Sequence, residues 1–123
     1  MKPAIVPGLL RVLPFWLALG FAAYMALSPH PPALPIDNIG DKFEHSLAFA
    51  ALALLGAFAF PSFALLRLAE RLSFLGALIE IAQSIPALHR DCDVFDWIAD
   101  STAIAITLTI VAVLRRAQGW STG

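Results

Sequence analysis

Four long apolar runs divide the chain, and polar residues gather at their ends. The runs cover about residues 9–27, 45–63, 70–87 and 94–114. A helix of roughly 20 mostly apolar residues is long enough to cross a hydrocarbon layer about 30 Å thick. The runs are continuous and rich in alanine and leucine, without the period-two alternation of barrel strands. The pattern predicts an all-α, polytopic membrane bundle with four transmembrane helices, a single domain over residues 1–123. The third run is the weakest because it carries Glu80 and Gln83, and a re-entrant or strongly tilted segment is the alternative there. Pro61 is expected to end or kink the second run. The stretch between the first two runs, SPHPPALPIDNIGDK, reads as extended chain.

Composition points the same way. Hydrophobic residues make up 59% of the chain, charged residues 14%, and mean hydropathy is +0.79, whereas soluble domains carry about 25% charged residues. The partner implied is the lipid bilayer. A net charge of −1 gives no footprint for nucleic acid. Cys92 is the lone cysteine, so no internal disulfide forms. With four spans, Lys2, Arg11, Arg67, Arg71, Arg115 and Arg116 fall on one side and Lys42 and Arg90 on the other. Basic residues favour the cytoplasmic side, so both termini are expected to be cytoplasmic. Pro14 and the lack of an A-x-A site speak against a cleaved signal at the first run. Trp97 and Phe95 are expected in an interfacial aromatic belt.

The expensive residues then fall near one membrane face. Asp41 and His45 are four apart, and Glu80 and Gln83 three apart, so each pair shares a helix face. Asp93, Asp96 and Asp100 follow an i, i+3, i+7 stripe. A carboxylate within a span must point into the bundle and needs a cation, a donor or a proton. Arg90, with its planar fork of donors, and Lys42 are the cations at hand. His45 and Glu80 are candidates for acid–base work; Asp41, Lys42, Gln83, Arg90, Asp96 and Asp100 are candidates for ligand binding. The acidic stripe has oxygen ligands suited to calcium or magnesium but no second ligand cluster identifiable in the sequence, and His89, Cys92 and Asp93 are too few for a zinc site. Neither a metal nor a cofactor is expected. No serine lies in a nucleophile-elbow or S-x-x-K context.

The ordered set D-K-x-x-H at Asp41, Lys42 and His45, E-x-x-Q at Glu80 and Gln83, then Pro86, Arg90 and D-W-I-A-D at Asp96–Asp100 resembles the VanZ-like family of small bacterial membrane proteins. The resemblance covers about residues 38–114; family members often carry asparagine where Asp100 stands and glycine where Ala103 stands. It implies a multi-pass protein of the bacterial inner (cytoplasmic) membrane and cell envelope. It links the chain to resistance to the glycopeptide teicoplanin, through recognition or modification of an outer-leaflet ligand such as an envelope lipid or cell-wall precursor. It implies no particular reaction. Two other classes stay open: a non-enzymatic accessory subunit docking on a larger membrane protein through small-residue faces, and a small transporter.

Overall fold

The computed structural model describes residues 8–28, 41–85 and 94–119. They form four helices and, among the described residues, no strand: α1 Gly8–Leu27, α2 Asp41–Ala59, α3 Leu65–Gln83 and α4 Val94–Ala117. By length and composition, α1 and α4 are apolar enough to cross a membrane, and α2 contains a shorter apolar helix, Phe43–Ala59.

The boundaries differ from the apolar runs where a polar residue sits on an outward face. Helix α3 begins at Leu65 rather than near residue 70 because Leu65, Leu68 and Leu72 form a buried stripe, while Arg67, Glu70 and Arg71 lie exposed on the other side. It is one continuous helix of 19 residues. Helix α2 stops at Ala59, and Pro61 opens the turn to α3, so the proline ends the helix instead of kinking it. Helix α4 runs one turn beyond the apolar run, through Arg115.

Helix α2 packs against each of the other three, and α4 seats chiefly on α2 and α3. The core runs along these seams, with Leu52, Ala53, Phe49, Leu68, Leu72, Ile104 and Leu108 buried. Large apolar side chains also cover the outside of every helix: Leu17 and Phe21, Phe43 and Leu54, Leu66 and Phe74, Ile106 and Val113 are all exposed. Among the described residues the buried polar side chains are Glu80, Gln83, Asp100 and Arg115. An apolar exterior around a partly polar interior reverses the arrangement of a water-soluble bundle.

Two side-chain clasps tie helix ends together. Gln83 Nε2 donates to the Ala26 carbonyl at 2.8 Å, joining the C-terminal ends of α1 and α3. Arg115 Nη2 donates to the Ala57 carbonyl at 2.8 Å, joining the C-terminal ends of α4 and α2. Both acceptors lie in the last turn of a helix, where carbonyls lack intrahelical donors. The clasps place α1 parallel to α3 and α2 parallel to α4.

Gly56 of α2 faces both α1 and α3. A Cβ there would lie 3.1 Å from Leu68 Cδ1 and 3.2 Å from Phe15 Cε1. Gly56→Val is therefore expected to destabilise the bundle by about 1–3 kcal/mol through overpacking, read as the unfolding midpoint in mild detergent. The same substitution at Gly20, which has nothing within 4 Å of its Cβ position, should leave that midpoint nearly unchanged.

Candidate functional site

One end of the bundle gathers ionisable side chains from three helices. His45 lies one turn into α2, Glu80 one turn from the end of α3, and Asp96 in the first turn of α4. One ligand-type atom from each, an imidazole nitrogen and two carboxylate oxygens, lies within 4.8 Å of the others. Glu80 is buried at 6% exposure, while His45 and Asp96 are half-buried. Asp100 follows Asp96 by one turn on the same face of α4 and is buried at 2% exposure. It lies within electrostatic reach of both Asp96 and Glu80. Its Oδ1 is buried with no hydrogen-bond partner among the described residues.

The cluster sits on an apolar floor. One turn beyond His45 is buried Phe49, and one turn beyond Asp100 is Ile104. One turn before Glu80, Gly76 faces the ring of Phe49. A short polar seam between α3 and α4 adjoins the floor: Ser73 Oγ and Ser101 Oγ are 2.8 Å apart, and Trp97 Nε1 donates to the Ser73 carbonyl at 2.9 Å. Beyond it, the next buried polar side chain among the described residues is Arg115, at the far end of α4. The described polar groups thus form a site at one end of the bundle and no continuous polar path through it.

Of the residues singled out in the sequence, folding brings together His45, Glu80, Asp96 and Asp100. Gln83 shares the face of Glu80 but directs its amide to α1. Asp41 and Lys42 belong to the first turn of α2, and their side chains lie outside the described residues, as do Arg90 and Asp93. Four side chains with structural roles are not signalled by the sequence. Trp97, expected in an aromatic belt, turns its indole inward to α3. Ser73 and Ser101 carry no motif, and only their places on facing α3 and α4 stripes could have signalled them. Arg115 counted only as a topology charge, although it continues the buried stripe Asp100, Ile104, Leu108.

A second feature lies near the opposite end: an open apolar groove of about 280 Å³ between α1 and α3. Phe15, Trp16, Phe60 and Phe63 line it, and the Arg71 guanidinium lies 5.7 Å from the centre of the Phe63 ring. No family model, curated protein or solved structure matches the chain.

Proposed function

We propose that the chain is a four-span protein of the bacterial inner membrane, with both termini cytoplasmic, and that it acts on the cell envelope in the manner its VanZ-like resemblance implies. The observation that carries a functional site is the meeting of His45, Glu80 and Asp96 within 4.8 Å beside buried Asp100. Ionisable groups held inside an apolar bundle are costly and are retained chiefly where they act.

The membrane reading draws support from the exposed apolar side chains on all four helices. It also draws on Thr102 and Thr109, exposed on α4, whose hydroxyls donate to the carbonyls of Ile98 and Ala105 at 2.8 and 2.7 Å. Such bonds satisfy a hydroxyl where no water is available. Arg11, Arg67, Arg71, Arg115 and Arg116 belong to helix ends remote from the cluster, so the positive-inside bias turns the cluster outward.

In this reading the ligand is an anionic or amphipathic component of the outer leaflet. Lys42 and Arg90 meet its charge, and Glu80 and His45 move or hold a proton beside it. The test compares teicoplanin susceptibility of a Gram-positive host expressing the parent or Glu80→Gln at matched levels. The parent should raise the inhibitory concentration and Glu80→Gln should not. If the parent has no effect, the envelope reading falls.

The groove between α1 and α3 favours a second reading, a non-enzymatic accessory subunit seated on a larger membrane protein. A partner co-purifying in mild detergent and released by Trp16→Ala would carry it. The transporter reading has less support, since the apolar floor of Phe49 and Ile104 lies directly under the cluster.

A further inference from the structure

We propose that His45, Glu80 and Asp96, with buried Asp100 beside them, form a binding site for a divalent transition-metal ion. The sequence offered the Asp93–Asp96–Asp100 stripe without a second set of ligands. Folding supplies one by bringing His45 from α2 and Glu80 from α3 to the same place.

The geometry fits an ion held by adjustable side chains. Metal–nitrogen and metal–oxygen bonds of about 2.0–2.2 Å place neighbouring donors roughly 3.4 Å apart in a tetrahedral site. The donors here lie within 4.8 Å of one another, so rotamer movements of about an ångström close the shell.

A second observation is independent of that spacing. Asp100 is 98% buried, and its Oδ1 has no hydrogen-bond partner among the described residues. It lies one turn below Asp96 and within electrostatic reach of Asp96 and Glu80. A buried carboxylate oxygen beside two more carboxylates is stabilised by a proton or by a concentrated positive charge. A divalent ion supplies that charge and offsets the repulsion among the three acids.

The donor set selects the class of ion. One imidazole with two carboxylates is a nitrogen–oxygen shell without sulfur, which disfavours copper(I) and iron–sulfur chemistry. Imidazole ligation favours zinc, iron or a similar ion over calcium and magnesium, which take oxygen donors. Because its ligands come from three helices, the ion also staples α2, α3 and α4 at one end.

The ion site stands on these residues whatever envelope role the chain has. A coordination position left for an anionic ligand oxygen is a further step that does rest on the envelope reading, and the experiment addresses the ion alone. Full-length, untagged protein in mild detergent is stripped with a chelator and titrated with Co²⁺. Saturation at one ion per chain is expected, with visible d–d absorption that Zn²⁺ abolishes and a raised unfolding midpoint. His45→Ala and Asp100→Asn should each weaken binding about tenfold or more, with helical circular dichroism verifying the fold. Should His45→Ala fail to fold, His45→Asn takes its place. Absence of d–d absorption in the parent, or parental affinity in folded His45 and Asp100 variants, overturns the proposal.

Discussion

Arg115→Met is expected to lower the stability of the bundle by about 2 kcal/mol, and Pro61→Ala to reduce that loss. In an α-helix the carbonyl of residue i accepts the N–H of residue i+4, which for Ala57 is position 61. Proline has no N–H, so α2 ends with that carbonyl unsatisfied within its own helix. Arg115, 8% exposed at the end of α4, donates Nη2 to it at 2.8 Å. Methionine keeps much of the apolar stem and removes the donor, leaving a buried acceptor. Alanine at position 61 restores the backbone N–H that a continued helix directs to that carbonyl. The measurement is a double-mutant cycle on unfolding midpoints in mild detergent. Arg116→Met, at an exposed position on the same turn, should shift the midpoint by less than about 0.5 kcal/mol. Equal losses for Arg115→Met with and without Pro61 would show that the arginine stabilises the end of the bundle through other contacts.

The Arg115 clasp illustrates where sequence reasoning reached its limit. The four helices were legible because each places a long apolar run in one stretch of chain, and that signal survives without knowing the partners. Helix ends were less legible. The third run starts near residue 70 in the sequence, whereas α3 begins at Leu65, where a buried leucine stripe shares its turns with exposed Arg67, Glu70 and Arg71. Arg115 looked like a cytoplasmic marker because its partner, the Ala57 carbonyl, is 58 residues away. No local pattern announces a backbone carbonyl in need of a donor.

The site was legible within each helix and not between helices. Helical spacing put Asp96 and Asp100 on one face of α4, and Glu80 with Gln83 on one face of α3. Which faces meet depends on the rotation of each helix, fixed by packing such as Leu68 and Phe15 around Gly56 and Phe49 and Trp97 around Gly76. That rotation brings His45 to Glu80 and Asp96. It also separates the roles of Glu80 and Gln83, which the spacing alone had joined: the amide of Gln83 holds α1, one turn from a carboxylate that belongs to the cluster.

Trp97 makes the same seam testable, and Trp97→Ala is expected to destabilise the protein by about 3 kcal/mol. The indole performs two jobs between α3 and α4. Its Nε1 donates to the Ser73 carbonyl at 2.9 Å. Its ring lies against Gly76, where an added Cβ would stand 3.4 Å from Trp97 Cδ1. The glycine therefore gives a large side chain its place, and alanine at position 97 would leave that place empty. Trp97→Phe keeps most of the ring volume and loses the donor, so its expected loss is only about 1 kcal/mol. Unfolding midpoints of the two variants separate packing from hydrogen bonding. Gly76→Val should be destabilising in the parent by about 1–3 kcal/mol and milder in Trp97→Ala, where the new methyl groups enter vacated space. Because Asp96 immediately precedes Trp97, a loosened seam moves a member of the polar cluster away from His45 and Glu80. Trp97→Ala should accordingly bind Co²⁺ more weakly than Trp97→Phe. Equal stability of the two variants would assign the seam to the Ser73–Ser101 hydroxyl pair rather than to the indole.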